Sequence, residues 1–238
     1  MTRSDRPLYA VLIDADNIPA KYAAPILKEI TSFGEPALRR VYGDWSSGQL
    51  RGWAEATRTL GLVAHQETAN TKGKNASDIG LVIDAMDILH TGRFDGFVLV
   101  SSDSDFTALA NRIREQGMEV MGIGEAKAPE SLRNVCNRFI LIENIVDEPE
   151  PAAKGARPAQ AGKQDPIAAV PLILKAMDKI QQDDEWYALG QIGQYITAEH
   201  PDFDARTYGK RKLSDLVQGL RRFETRRAGN QLQIRRVD

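Results

Sequence analysis

The apolar run Gly96-Phe97-Val98-Leu99-Val100 breaks off in a single step into Ser101-Ser102-Asp103-Ser104-Asp105. Five uncharged residues rich in valine have the length and composition of a short buried strand. A helix follows over residues 106–116. Two acids and their neighbouring hydroxyls therefore fall at the carboxyl end of a strand, where an open α/β sheet binds its ligands. A connecting loop alone has no need of acids there. The expectation is that the rest of the domain brings further carboxylates to this point.

The flanking sequence fits that expectation. Residues 8–13 form another apolar run, ending in Asp14, Asp16 and Asn17, and Pro19 suits the first turn of a helix reaching about residue 32. A second strand is expected over 37–42. A helix over 49–60 carries Trp53, Ala56 and Leu60 on one side, and Gly61 ends it. Residues 62–65 read as a third strand and 68–76 as a polar loop. Ser77 or Asp78 then opens a helix with Ile79, Val82, Ile83 and Met86 at helical spacing. Strands over 119–123 and 139–142, with a short helix between them, close the domain near Asp147. Strands alternating with helices mean parallel pairing and a three-layer α/β/α sandwich.

Residues 148–165 combine Pro, Ala, Gly and charge without an apolar period, as a flexible linker does. Beyond it, residues 166–238 show helical patterns over 167–180, 189–198 and 212–220. Strands over 223–226 and 231–235 follow, with Leu232 and Ile234 facing inward. Three helices and a hairpin describe a small winged-helix domain. The expected organisation is thus 1–147, linker 148–165, and 166–238.

Composition removes several function classes. The single cysteine, Cys136, rules out a disulfide framework and a thiolate metal site. His65, His90 and His200 are too scattered for zinc. The amino-terminal residues are polar and no apolar run approaches the length of a membrane span, so the expected compartment is the cytoplasm. Net charge is only -2, but it is unevenly placed: residues 203–238 hold ten Lys and Arg against four Asp and Glu, whereas residues 1–147 hold 16 against 20. Lys210, Arg211, Lys212, Arg221, Arg222, Arg226 and Arg227, interspersed with Tyr208 and Phe223, form the footprint expected of a nucleic-acid binder.

The acids point to a reaction. Asp14 and Asp16 follow the first strand, Asp103 and Asp105 the fourth, and Asp78 opens the helix between the third and fourth. If those strands are neighbours, the carboxylates converge, and several within a few ångströms cannot all stay ionised without a cation. A sulfur-free oxygen site suits Mg²⁺ or Mn²⁺, which activates water and stabilises the leaving oxygen of a phosphodiester. The plain alternative is that each acid caps a helix or turn, Asp78 and Asp105 most of all. Asp84 is roughly 240° around the helix from Asp78 and is expected to be structural. Lys72, Lys74 and Asn75, just before Asp78, either contact phosphates or form a solvated loop, two readings that stay open here. Gly122-Ile123-Gly124 lacks the third glycine of a dinucleotide loop. Trp53 is expected in the core, and His65 is expected to be structural.

Three motifs carry a family resemblance. Leu12-Ile13-Asp14-Ala15-Asp16-Asn17, Lys74-Asn75-Ala76-Ser77-Asp78 and Val100-Ser101-Ser102-Asp103-Ser104-Asp105-Phe106 resemble those of the NYN domain in its LabA-like branch, a relative of PIN nucleases. The resemblance implies a PIN-like fold and a Mg²⁺- or Mn²⁺-dependent ribonuclease. Its metal-binding acids would be Asp14, Asp78, Asp103 and Asp105, with Asn17 and Ser101 beside them toward the nucleic acid. Ser101-Ser102-Asp103 stands where such domains often show Ser-Gly-Asp. The tail resembles a LOTUS (OST-HTH) domain through Trp186-Tyr187-Ala188-Leu189, Pro201-Asp202-Phe203-Asp204 and the stretch from Tyr208 to Leu216. That resemblance implies RNA as a partner and leaves room for a protein partner, since some members bind helicases; a homo-oligomer is compatible with it. Two alternatives stay open. One is an RNA-binding regulator with an inactive acidic site. The other is a haloacid-dehalogenase-type phosphatase, suggested by Asp14-Ala15-Asp16 but with Asn17 where that family has Thr or Val.

Overall fold

A computed structural model of the chain describes residues 6–46, 48–66, 76–146, 163–180, 182 and 184–237. Lys72, Lys74, Asn75 and most of the expected linker lie outside the described residues. The chain divides into two compact units, Met1–Asp147 and Glu148–Asp238.

In the first unit the order is β1 (Leu8–Asp14), α1 (Ala23–Ile30), β2 (Glu35–Gly43), α2 (Arg51–Leu60), β3 (Val63–Gln66), α3 (Ala76–His90), β4 (Gly96–Val100), α4 (Thr107–Glu115), β5 (Glu119–Gly124), α5 (Glu130–Val135), β6 (Arg138–Leu141) and α6 (Ile142–Ile145). The six strands form one parallel sheet in the order β3-β2-β1-β4-β5-β6. Successive side chains leave opposite faces of a strand, and both faces of the central strands are buried. Val11, Ile13, Val98 and Val100 pack with Ile26 and Ile30 of α1 and Trp53 of α2. Ala10, Leu12, Phe97 and Leu99 pack with Leu81 and Ala85 of α3 and Leu109 and Ile113 of α4. The result is the three-layer α/β/α fold of the PIN type.

Helix α3 corrects one expectation. Its buried stripe is Leu81, Ala85 and Ile88, while Ile79 and Ile83 are 61% and 59% exposed. Apolar residues lie on two sides of this helix, so periodicity alone does not choose its face. A polar anchor does: Asp84 pairs with Arg40 and accepts the Tyr42 hydroxyl, both on β2. Asp78 is seven residues before Ala85, about 20° from it around the helix. The rotation that exposes Ile79 and Ile83 thus also turns Asp78 toward the sheet.

The second unit contains α7 (Val170–Lys179), β7 (Tyr187–Ala188), α8 (Leu189–Glu199), α9 (Leu213–Gln218), β8 (Phe223–Ala228) and β9 (Gln231–Arg236). Its core is built from Ile173, Met177, Ile192, Ile196, Leu216, Val217 and Ile234. The sheet is antiparallel, ordered β7-β9-β8, so a two-residue strand joins the expected hairpin. The hairpin turns through Gly229 and Asn230, and Gly229 has φ +60°. A two-residue hairpin turn of this kind places glycine first because a side chain there is strained. Helices around a small antiparallel sheet make a winged-helix domain. Among the described residues, no helix is long and apolar enough to cross a membrane.

Candidate active site

Strands β1 and β4 are neighbours, with Ile13 opposite Val100. From this pair the chain runs outward through β2 and β3 on one side and through β5 and β6 on the other. It is the topological switch point of the sheet, where a crevice opens beyond the strands' carboxyl ends. Asp14 and Ser101, adjacent across that crevice, are its floor.

Hydrogen bonds tie three strand ends together here. Asp14, the last residue of β1, is 3% exposed. Its Oδ1 accepts the N–H groups of Asp16 and Asn17, each at 3.2 Å, and its Oδ2 accepts the Ser101 hydroxyl at 2.8 Å. Ser101 Oγ also accepts the Asp103 N–H at 3.1 Å, and Asn17 Oδ1 accepts the Ser102 N–H at 2.9 Å. Ser102 Oγ accepts the Glu125 N–H, just beyond β5, at 2.8 Å. Asp103 Oδ1 accepts the Asp105 N–H at 3.0 Å, capping the short 3-10 turn Ser104–Phe106. The capping role expected of single acids is therefore real for Asp103. It occupies one of the two carboxylate oxygens.

The electrostatics show that the acids are close. Burial pushes the Asp14 carboxyl up to about 6; the Ser101 and Asn17 hydrogen bonds pull it back, while the Asp78 and Asp16 charges add to the rise. Asp78 is raised by burial first, then by Asp103, Asp16 and Asp105. Among the described residues, the charges that raise these two groups are all carboxylates. Asp14, Asp78, Asp103 and Asp105 thus share one rim, and Asp16, the second acid of the β1 motif, belongs with them. Such an all-oxygen set of mutually repelling acids fits a hard divalent cation. Among the described residues, no three His, Cys, Asp or Glu side chains already stand close enough together to hold one ion.

Several neighbours take roles that sequence alone did not give them. Ser101 is 3% exposed and its hydroxyl bridges Asp14 and the Asp103 backbone, so it positions the acids from beneath. Asn17 joins the β1 and β4 ends through its amide oxygen. Glu125 brings a further carboxylate to the end of β5, paired at 2.6 Å with Lys127. Its place was hidden because it depends on β5 lying beside β4. The glycines before it serve close packing: a Cβ on Gly124 would come within 2.6 Å of the Ser101 carbonyl oxygen, and one on Gly122 within 2.4 Å of the Phe139 ring. Asp84 lies away from the rim; burial pushes its carboxyl up, but Arg40 and Tyr42 outweigh that and hold it below the usual range. Trp53 is buried and donates to the Ile18 carbonyl at 2.8 Å, while Trp45 donates to the His65 carbonyl at 2.7 Å.

In the second unit, Arg211 and Lys212 precede α9, Arg221 and Arg222 fill the turn into β8, and Arg226 and Arg227 lie on β8; all six are exposed, and Lys210 is half-buried. Among the described residues none of these seven cations forms an ion pair. Arg206, Arg235 and Arg236 do, with Asp204, Glu224 and Asp178. An open groove of about 750 Å³ runs between the starts of α8 and α9 and the β8–β9 turn, with Gln194, Ser214 and Asn230 in its walls. Lys212 stands next to it in the chain.

An acid-rimmed switch point on a PIN-type sheet, followed by a winged helix, defines a nuclease-like protein with an RNA-associated module. The chain belongs to the NYN family: the NYN domain model matches residues 9–143, and the OST-HTH/LOTUS domain model matches residues 167–234. NYN domains belong to the PIN-like nuclease superfamily. A crystal structure of a protein of unknown function from Vibrio parahaemolyticus is similar at a TM-score of 0.50 and 21% identity, over 60% of this chain and 96% of that one, a likeness of fold. MurG from Acinetobacter baumannii is similar at a TM-score of 0.39 and 13% identity, over 83% of this chain and 65% of that one, a score too low to define a shared fold. No curated protein matches the chain.

Proposed function

We propose that this protein is a metal-dependent endoribonuclease, with the chemistry in the NYN unit and RNA affinity in the OST-HTH/LOTUS unit. The observation that carries this reading is the shared rim at the β1/β4 switch point, where Asp14 and Asp78 are raised by burial and by other carboxylates. Asp14, Asp78, Asp103 and Asp105 would hold Mg²⁺ or Mn²⁺. A bound ion of this kind lowers the pKa of water and neutralises charge on a phosphodiester. The chain's own part is placement. Ser101 fixes Asp14 and the Asp103 backbone, Asn17 locks the two strand ends together, and Asp103 orders the turn that presents Asp105. The cations of the second unit that form no ion pair among the described residues would contact RNA phosphates.

The phosphatase alternative needs Asp14 as a free nucleophile. A carboxylate that is 3% exposed, with both oxygens accepting hydrogen bonds, does not support that role. The test of the proposal is incubation of the full chain with end-labelled RNAs in EDTA and then in added Mn²⁺ or Mg²⁺. Internal cleavage that depends on the ion is expected. RNA left intact under every ion condition would favour the regulator with an inactive site.

A further inference from the structure

We infer that Trp186, Arg226 and Arg235 form a stacking platform for unpaired RNA bases on the solvent-facing side of the β7-β9-β8 sheet. The register fixes which residues share that side. Ile234 is fully buried, and Tyr187 and Thr225 lie opposite it across the two ladders. The alternate residues therefore point outward: Arg235 with Glu224 opposite, and Gln233 with Arg226 and Ala188 opposite. Trp186 precedes Tyr187 and turns to the same side, over which both arginines reach. The Arg226 guanidinium lies 4.2 Å from the Trp186 ring centre and that of Arg235 lies 5.0 Å from it.

The two arginines are held differently, and the difference points to a ligand. Arg235 is neutralised by Glu224 at 2.7 Å and by Glu185 at 3.6 Å. Arg226 donates only to the neutral Gln233 amide oxygen at 2.8 Å and has no acid partner among the described residues. Its guanidinium is held over the Trp186 ring and by the hydrogen bond to the Gln233 amide oxygen. Stacked Trp and Arg groups offer flat, sequence-tolerant surfaces to unpaired bases, and a charge without an acid beside them suits the adjoining phosphate. Paired bases in a duplex expose no face to such a platform. The charge of the surrounding segment, with Arg221 and Arg222 nearby in the chain and without an ion pair among the described residues, favours RNA as the ligand.

The inference rests on the reading of the second unit as the RNA-binding part, and the test separates the two. Affinity of the full chain is measured by fluorescence anisotropy for a labelled unpaired oligoribonucleotide and for a duplex of the same length, at several salt concentrations. Trp186→Ala is expected to weaken binding of the unpaired strand about tenfold and of the duplex by less than about twofold. Arg226→Lys keeps the charge and loses the plane. It is expected to weaken the unpaired strand several-fold with an unchanged salt slope, whereas Arg226→Gln also lowers that slope by about 0.7. If Trp186→Ala disturbs the fold, seen as a lost melting transition, the Arg226→Lys result decides. Wild-type affinity of Arg226→Lys for the unpaired strand overturns the platform while leaving RNA binding standing. A wild-type chain that binds neither RNA overturns both, and would assign this sheet face to a protein partner.

Discussion

Replacing Asp14 with Asn should stabilise the ion-free protein at neutral pH while removing its chemistry. Asp14 is buried and raised from 3.8 to about 6. An acid whose folded pKa is raised binds more protons folded than unfolded between those two values. Its favourable contribution is therefore complete below about pH 4 and is lost as pH rises through 6. Above pH 7 the ionised group costs about 3 kcal/mol relative to an unshifted carboxyl, and at pH 5 about half of that. Asn keeps the shape and can still accept the Asp16 and Asn17 N–H groups. It loses the Ser101 hydrogen bond as now made, a cost of about 1 kcal/mol. The net expectation at pH 7.5 is a gain of about 2 kcal/mol, roughly 6 °C in the melting temperature of a unit this size, shrinking to less than half that gain at pH 5. Scanning calorimetry of both proteins in EDTA at pH 5 and 7.5 reads this directly. Adding Mn²⁺ should then raise the wild-type transition more than that of the variant, because an ion bound only by the folded state stabilises it. A variant that melts below wild type at pH 7.5, or by the same offset at both pH values, would refute the claim that the carboxylate at this position is strained by burial and its neighbours.

Other consequences follow from the same geometry. Asp84→Asn removes the partner of Arg40 and Tyr42, which is neither fully exposed nor fully buried; it should cost about 2 kcal/mol, read as a lower thermal midpoint, while leaving turnover of the folded protein unchanged. EDTA should stop RNA cleavage and Mg²⁺ or Mn²⁺ restore it, with Ca²⁺ binding but supporting little chemistry because its looser coordination orders water poorly; activity in excess EDTA would contradict this. Removing residues 151–238 should raise the KM for long RNA far more than it lowers kcat, and should flatten the salt dependence of binding, each lost phosphate contact taking about 0.7 from the slope. Steady-state kinetics and binding of residues 1–150 beside the full chain would show it.

Much of the first unit was legible because its signals are local. Residues 8–13 and 96–100 are uncharged runs that stop at acids, and Gly61, with φ +63°, ends α2 where a glycine was expected to end it. That β1 lies beside β4 was an assumption that only the sheet order could settle, and both the placing of Ser101 beneath the acids and the approach of Glu125 depend on it. The face of α3 was not legible. Val82 and Met86 pack against the core beside Leu81, Ala85 and Ile88, whereas Ile79 and Ile83 of the same apolar pattern are exposed, and Asp84 meeting Arg40 on β2 marks the side that turns to the sheet. In the second unit β7 is two residues long, too short for any period, so the Trp186 contacts with Arg226 and Arg235 had no sequence signal. Charge counting could not separate Arg235 and Arg236, which form ion pairs, from Arg226 and Arg227, which form none among the described residues.

The carboxylates at the β1/β4 switch point are proposed to form an ion-dependent site that cleaves RNA. The most direct measurement of this is single-turnover cleavage of a labelled RNA in Mn²⁺ by wild type and by Asp103→Asn, with calorimetry confirming that both are folded. Asp103 is half-buried at the rim, and the substitution removes its charge with almost no change in volume, leaving one oxygen to accept the Asp105 N–H. Wild type is expected to cleave internally in an ion-dependent manner and the variant to lose at least about a hundredfold in rate, the scale of removing a group that stabilises charge in the transition state. A folded Asp103→Asn protein that cleaves at the wild-type rate would contradict the proposal.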